Sequence, residues 1–230
     1  MTEIEPTKVY LGVHAGSRSV AVCSSNGGRT SITSERLSGP EDWMELTTYG
    51  LHLPSPAALY ACVAVSSGTS HERRQAIVRA GRDAGWDAIM VVNAVRAAAH
   101  GLDRDGLQAV VVVDGERSSV GICEGSRLQA HDHVSAVPGR EARELAVSLR
   151  CLLKARPRED QRALVRALVI AGDKDEIERV GRRRYEDELA ALGAHDLSFE
   201  LDPYLLARGA ERIATSTERI QWRRLRRAQR

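Results

Sequence analysis

Two short segments of the chain place polar or small residues directly after an apolar run. The apolar residues 9–13 precede the first segment, and the apolar residues 109–113 precede the second. A tight turn after a strand directs several backbone N–H groups to one point, which makes an anion site, and hydroxyl groups add further donors. A carboxylate at the end of the strand can hold Mg²⁺ directly or through water. The candidate binding residues are Gly16, Ser17 and Arg18 in the first segment and Ser118 and Ser119 in the second, with Asp114 as the carboxylate on the metal side.

The two segments also align with each other without a gap, at a constant offset of 100 residues. An internal repeat of this kind indicates two structurally equivalent halves. A chance match between short hairpins rich in Val and Ser is the alternative. In this alignment His14 falls on Asp114. The matching pairs are Val13 with Val113, Ser19 with Ser119, Val20 with Val120, Val22 with Ile122 and Cys23 with Cys123.

The first half of the chain predicts a β-meander followed by a strand–helix–strand unit. The expected strands are residues 9–13, 19–23, 30–33, 60–65 and 88–92, with a short helix at 41–46 and an Ala-rich helix at 95–100. Thr69 and Glu72 have the spacing of a capping box before another helix, and Gly85 is placed to end that helix. The strands on either side of it should run parallel to each other.

The second half repeats this pattern. The expected strands are residues 109–113, 119–123, 129–134, 167–171 and 197–201. Helices are expected at 140–154, where the apolar residues share one face, after Pro157, and at 203–213. One continuous helix is expected through Ile177, Val180 and Tyr185. Together the two halves predict an α/β protein with two lobes.

In this order of elements the chain resembles the nucleotide-binding domain of DnaK-type heat-shock chaperones, within the actin-like ATPase and sugar kinase superfamily. Residues 12–17 resemble the family's first phosphate motif, and residues 112–119 resemble the second. Residues 61–102 resemble its strand–helix–strand segment. Residues 170–173 resemble its adenosine motif, which adds Gly172 and Asp173 to the nucleotide-binding candidates. The resemblance implies the actin-like fold, a ribonuclease H-like duplication, with ATP or ADP and Mg²⁺ as the ligands.

The same motifs depart from the family pattern at charged and glycine positions. His14 stands in place of the family's first metal-side aspartate, and a neutral imidazole suits Mg²⁺ poorly. Ala94 replaces an acidic residue, and residues 116–118 replace the glycines of the second loop. Asp114 and Ser119 match well. The family's two outer subdomains would fall at residues 33–60 and 126–140, where this chain is short, so they are expected to be reduced or absent.

These departures favour a catalytically degenerate, chaperone-like protein, a pseudo-ATPase that acts by binding other proteins as an assembly factor or regulator. The expected partner is a protein of unknown identity. A second copy of this chain, in a homo-oligomer, is one such partner. The alternative is a nucleotide-dependent switch or chaperone with weak ATP binding or hydrolysis. In that case Asp114 would be the catalytic and metal-side residue. No other metal site is expected.

The positive charge of the chain is concentrated at its end. The formal net charge is +2, but the segment from Glu218 to Arg230 contains six Arg and one Glu, so the remainder is net negative. A nucleic-acid-binding fold should carry its positive charge on the folded body. In the resembled fold the final helix crosses back to the first lobe, which implies that residues 214–230 pack as a basic helix on the first lobe (1–105), after a second lobe (106–213). Binding of nucleic acid or a membrane through Arg219 to Arg230 is the less favoured alternative.

The location of the protein is predicted from what the sequence lacks. The first eight residues are acidic and polar, unlike a signal peptide. No stretch has the roughly 18–20 apolar residues of a membrane span. The four cysteines contain no Cys-x-x-Cys pair and read as buried, reduced thiols: Cys23, Cys62, Cys123 and Cys151. We expect a soluble, cytoplasmic protein without a transmembrane segment.

Overall fold

The computed structural model describes residues 6–16, 19–33, 42, 50–115, 117–135 and 139–229. The described residues form two five-stranded sheets. The first contains β1 (Thr7–Ala15), β2 (Ser19–Ser24), β3 (Arg29–Thr33), β4 (Ala57–Val65) and β5 (Ala88–Asn93). The second contains β6 (Leu107–Val113), β7 (Arg117–Glu124), β8 (Arg127–Ser135), β9 (Leu168–Gly172) and β10 (Ser198–Glu200).

Both sheets have the same strand order. The first runs β3-β2-β1-β4-β5 and the second β8-β7-β6-β9-β10. In each sheet the first three strands of the half pair antiparallel, each with the next. The fourth strand pairs parallel with the first, and the fifth pairs parallel with the fourth. The central strands β1 and β6 are buried over most of their length, as the apolar runs predict for strands covered on both faces. Within the described residues no further sheet is inserted between β3 and β4 or after β8, as expected for reduced outer subdomains.

Eight helices flank these sheets in the described part of the chain. They are α1 (His71–Asp83), α2 (Ala94–Leu102), α3 (Glu141–Lys154), α4 (Arg158–Arg166), α5 (Lys174–Val180), α6 (Arg182–Ala190), α7 (Leu205–Ser216) and α8 (Arg219–Ala228). The helix predicted at residues 41–46 lies outside the described residues, apart from Asp42. None of the described helices is long and apolar enough to cross a lipid bilayer.

Two local predictions about the helices are wrong. The cap of α1 is Ser70, whose hydroxyl accepts a hydrogen bond from the Arg73 N–H, and not Thr69. Gly181, at φ 93°, separates α5 from α6 where one helix was expected, because a positive φ interrupts helical hydrogen bonding. Thr217 is extended and separates α7 from α8.

Helix α7 follows the second sheet in sequence but packs on the first. A Cβ atom at Gly12 of β1 would lie 2.0 Å from the Ala207 carbonyl oxygen, and a Cβ at Gly209 would lie 1.8 Å from the Ala97 carbonyl oxygen of α2. Glycine at these two positions therefore allows the backbones to approach closely. Helix α7, from the second half of the chain, therefore packs closely against β1 and α2 of the first half.

Helix α8 contacts the open side of β5. Trp222 is buried, and its ring meets the Tyr60 ring edge-on at a centroid distance of 5.4 Å. The Gln229 amide pairs with the backbone of Ile89: its oxygen accepts from the Ile89 N–H at 3.1 Å, and its nitrogen donates to the Ile89 carbonyl at 2.7 Å. Ile220, expected on the apolar side together with Trp222, is instead 59% exposed.

The cysteines divide into three buried thiols and one exposed thiol, and no disulfide forms. Burial raises the pKa of Cys62 and Cys123 to about 12 and that of Cys23 to about 11. Cys151 lies on the outer face of α3, and the expectation that it is buried is wrong. The buried apolar positions of α3 face the second sheet, and position 151 is not one of them.

Candidate functional site

Most of the predicted site residues lie at the carboxyl ends of two parallel pairs of strands, β1 and β4 in the first sheet and β6 and β9 in the second. His14 and Gly16 stand at the end of β1, and Asp114 stands at the end of β6. Ser66 and Ser67 follow β4, in the loop that enters α1. Because parallel strands end on the same edge of a sheet, their connecting loops cluster there. We call His14, Gly16, Ser66, Ser67, Asp114 and Ser119 the interlobe cluster.

His14 and Asp114 face each other across the two halves. Nε2 of His14 lies 3.9 Å from Oδ2 of Asp114, and both residues are buried. This distance exceeds that of a hydrogen bond. His14 Nε2 has no hydrogen-bond partner in the described part of the chain. Burial lowers the pKa of His14, and the carboxylates of Asp114 and Asp173 oppose that effect. The imidazole is therefore neutral at pH 7.

Gly16 permits this close approach. Its N–H donates to the Ser19 carbonyl at 3.0 Å, which closes the turn between β1 and β2. A Cβ atom at Gly16 would lie 3.2 Å from Oδ1 of Asp114 and 3.2 Å from Cε1 of His14, tighter than ordinary van der Waals contact. The other two predicted residues of this turn, Ser17 and Arg18, lie outside the described residues, as does Glu116 of the second turn.

Ser119 joins the second hairpin to the loop after β4. Its hydroxyl oxygen accepts from the Ser67 N–H at 3.0 Å and lies 3.2 Å from the Ser66 hydroxyl. The Asn93 side-chain amide donates to the Ser67 hydroxyl at 2.7 Å, and its oxygen accepts from the Val95 N–H to cap α2. Ser118, the neighbouring candidate, is buried. The predicted phosphate-binding hydroxyl of Ser119 is thus bonded to protein.

A further contact closes the same face. The Arg117 guanidinium donates to the Gly68 carbonyl at 3.0 Å, which ties the start of β7 to the loop after β4. A Cβ at Gly68 would lie 2.6 Å from Cδ2 of His133 on β8, so this loop rests directly on the second sheet. The sequence analysis missed Ser67, Gly68 and Asn93 as members of the site. Their position could have identified them, because Ser67 and Gly68 follow β4 and Asn93 ends the parallel strand β5.

Gly172 and Asp173, the predicted adenosine-side pair, reach the end of β6 but have structural roles there. The Asp173 N–H donates to the Val113 carbonyl at 3.0 Å. Gly172 has φ 132°, and a Cβ there would lie 2.0 Å from the same carbonyl oxygen, so a side chain is excluded. The Asp173 carboxylate accepts from the N–H groups of Asp175 and Glu176 and caps α5.

The described side chains of the interlobe cluster fit a magnesium nucleotide poorly. Mg²⁺ requires oxygen ligands in a near-octahedral arrangement. His14 supplies a neutral nitrogen where the resembled family has a carboxylate, and the Ser119 hydroxyl is bonded to Ser67. Within the described residues no group of three or more His, Cys, Asp or Glu side chains could hold a metal ion.

Neither a protein-family model nor a curated protein sequence matches the chain. Solved structures do match it. The MamK double helical filament has a TM-score of 0.74 at 12% identity, covering 92% of this chain and 100% of that one. MreB5 of Spiroplasma citri bound to ADP has a TM-score of 0.69 at 10% identity, covering 91% and 97%. The fold is actin-like. The ethanolamine utilization protein EutJ from Carboxydothermus hydrogenoformans shares it, with a TM-score of 0.61 at 12% identity, covering 90% of each chain.

The actin-like fold confirms the predicted α/β class with two equivalent mixed sheets and flanking helices. The resemblance to DnaK-type chaperones is confirmed only as far as the actin-like fold. At identities of 10–12% the shared fold says nothing about individual residues. The chemistry of the interlobe cluster must therefore be argued from its own side chains.

Proposed function

We propose that this chain is a catalytically degenerate actin-like protein that acts by binding other proteins, as an assembly factor or regulator. The observation that carries the proposal is the buried contact between His14 and Asp114. It places a neutral imidazole against the carboxylate on which metal binding would depend. A hydrolase of this fold needs positioned charge and metal at that place, and an uncharged ring supplies neither.

The bonds around Ser119 support the same proposal. The Ser119 oxygen accepts from the Ser67 N–H and lies 3.2 Å from the Ser66 hydroxyl, so it is already engaged by protein where a metal ion would need an oxygen ligand. Together with the bond from Arg117 to Gly68, these contacts hold the two halves against each other. A fixed arrangement of this kind suits a protein used for its surface.

Self-association is one form that such binding takes. The matched MamK structure is a double helical filament, which supports a second copy of this chain as a partner. We further propose that the chain is related to DnaK-type chaperones within the superfamily. It would divide into lobes at residues 1–105 and 106–213, followed by a basic segment at 214–230. We also propose a cytoplasmic location. Light scattering coupled to size-exclusion chromatography, over a range of protein concentrations, measures whether copies assemble.

Isothermal titration calorimetry with ATP and ADP, each with Mg²⁺, tests the central claim, together with a phosphate-release assay. MreB5 of Spiroplasma citri, which was solved with ADP bound, is the positive control. We expect no heat of binding and no phosphate release at nucleotide concentrations that saturate the control. Micromolar binding with measurable turnover would refute catalytic degeneracy.

A nucleotide-dependent switch is the second candidate, and one observation favours it. Nε2 of His14 is buried without a hydrogen-bond partner among the described residues, and a buried polar atom left unsatisfied costs about 1–3 kcal/mol. A ligand that supplied this partner would recover that free energy. The switch predicts that Mg-ATP raises the melting temperature and that Asp114→Ala abolishes the rise. The degenerate protein shows no shift in either form.

A further inference from the structure

A groove on the second sheet's outer side collects positive charge from two helices. It has a volume of about 890 Å³ and lies between the end of α3, the length of α4 and the turn after α6. We call it the basic groove. Its cationic lining residues are Arg150, Lys154, Arg158, Arg162 and Arg166. It shares no residue with the interlobe cluster, so a partner bound there would extend the proposed protein-binding role through residues that the nucleotide tests do not touch.

The charge of the basic groove is almost entirely of one sign. Asp196 is its single lining carboxylate, against five cations. All five cations are exposed, and none of them forms an ion pair within the part of the chain that the structure describes. The acidic residues of α4, Glu159 and Asp160, do not line the groove. A concave surface lined by one sign of charge concentrates the field and attracts a counter-charged partner.

The spacing of these cations is not explained by the stability of their helices. Arg158, Arg162 and Arg166 follow at intervals of four residues and so form one row along α4, and Arg150 and Lys154 have the same spacing on α3. Like charges at this interval destabilise a helix. Charges of opposite sign four residues apart would stabilise the helix. Lys154 and Arg166 lie in the last turns of their helices, where a cation is stabilising, whereas Arg150, Arg158 and Arg162 have no such role.

The uncharged lining of the groove distinguishes between two classes of polyanion. Its apolar lining residues are Leu153, Val165, Ala191 and Leu192, and among the described lining residues His195 carries the one ring, with no Phe, Tyr or Trp. Proteins that bind single-stranded nucleic acid combine positive charge with aromatic rings on which bases stack. An acidic polypeptide needs cations for its carboxylates, preferably arginines, and the groove supplies them at Arg150, Arg158, Arg162 and Arg166. We propose that the basic groove binds an acidic segment of a partner protein.

Fluorescence anisotropy on the full chain tests this proposal. The probe is a fluorescein-labelled peptide of about twelve residues that contains Glu and Leu in a 2:1 ratio, and the reference is the same peptide with Gln for every Glu. The groove variant carries Arg158→Glu and Arg162→Glu. The matched control carries Arg73→Glu and Arg79→Glu, two exposed arginines of α1, so both variants have the same net charge. Circular dichroism verifies that each variant is folded.

We expect the acidic peptide to bind the unchanged protein and the reference peptide not to bind. The groove variant should weaken binding by about tenfold or more, the control by less than about twofold, and added salt should weaken binding to the unchanged protein. Equal losses in the two variants would overturn the proposal, as would no binding of the acidic peptide. Tighter, groove-dependent binding of a twelve-nucleotide thymidine strand would overturn it in favour of nucleic acid. If the groove variant does not fold, Arg158→Gln with Arg162→Gln takes its place and should weaken binding in the same direction.

Discussion

His14 and Asp114 occupy equivalent positions, one at the end of the central strand of each sheet, and their side chains meet with Nε2 3.9 Å from Oδ2. The pairing combines a neutral ring with a buried carboxylate. Two carboxylates at this separation would repel each other and would need a cation between them. A histidine opposite Asp114 avoids that repulsion without a cation between the two side chains.

The first prediction concerns His14→Asp. Without a metal ion this change places two buried carboxylates opposite each other, so we expect the free energy of unfolding to fall by about 1–3 kcal/mol at pH 7. Repulsion raises the pKa of the pair, so part of the loss should be regained near pH 5 as one proton binds. Urea denaturation at the two pH values measures this. His14→Asn is the uncharged control, and an equal loss in both variants at both pH values would contradict the electrostatic account.

The second prediction uses the internal repeat to provide its own control. Ser119→Ala removes the acceptor of the Ser67 N–H, and we expect a loss of about 1–2 kcal/mol in the free energy of unfolding. Ser19→Ala changes the equivalent residue of the first hairpin, for which the described residues provide no side-chain hydrogen bond. It should cost less than about 0.5 kcal/mol. Similar costs for both variants would show that Ser119 does not join the two halves.

The third prediction concerns the approach of α2 and α7. Gly209→Ala would place a Cβ atom 1.8 Å from the Ala97 carbonyl oxygen, so the backbones must move apart. We expect the free energy of unfolding to fall by about 2–4 kcal/mol, because overpacking against a backbone cannot be relieved by a rotamer change. Guanidinium denaturation measures the loss. An unchanged midpoint would mean that the two helices separate easily.

The fourth prediction is a loss of stability in mild acid. Burial, helped by Arg96 and Arg212, lowers the pKa of His100 to about 4, and burial also lowers that of His14. An unfolded histidine binds a proton near pH 6.5, whereas the folded ones stay neutral to a lower pH. The unfolded state therefore binds more protons, and stability falls as the pH drops from about 6.5 towards 4.

For His100 alone, which is only partly buried, we expect about 1–2 kcal/mol of this loss. His100→Asn should remove that share, so its unfolding free energy should change less between pH 7 and pH 4.5 than that of the unchanged protein. Chemical denaturation at both pH values measures the difference. Parallel pH curves for the two proteins would exclude His100 as a cause.

The fifth prediction concerns the bond between α8 and β5. Gln229→Ala removes two hydrogen bonds to the Ile89 backbone, and we expect a loss of about 1 kcal/mol together with faster hydrogen exchange at the Ile89 amide. Gln221→Ala, at an exposed position of the same helix, should change neither quantity. Unchanged protection of the Ile89 amide in the Gln229 variant would contradict this role.

The strands were predictable because their signals are local. β1 and β6 are apolar runs followed by turns, and their alignment at a constant offset indicated equivalent places in two sheets. Helix boundaries depended on finer choices. Ser70 and Thr69 are both residue types that cap helices, and Glu72 favoured Thr69 by its spacing, but the backbone conformation selects Ser70. Gly181 was read as part of a helix because the flanking apolar residues have helical spacing on both sides.

The candidate site was predictable only in part, for a different reason. His14 and Asp114 were identified because each ends a recognisable strand within a repeat. Ser67 and Asn93 were missed because their roles arise from contacts distant in sequence: Ser67 bonds Ser119 of β7, 52 positions away, and Asn93 bonds Ser67, 26 positions away. The commitment of Asp173 to capping α5 likewise depends on the turn geometry after β9.

The pairing of Gln229 with Ile89 joins residues 140 positions apart and has a consequence for the protein during its synthesis. At roughly 5–20 residues per second, about 7 to 28 s pass between the appearance of β5 on the ribosome and that of its covering helix. During that interval the backbone of an outer strand is open to pairing with another nascent chain. Slower translation of the last third of the message should therefore increase aggregation, and a ribosome-associated chaperone that shields strand edges should reduce it.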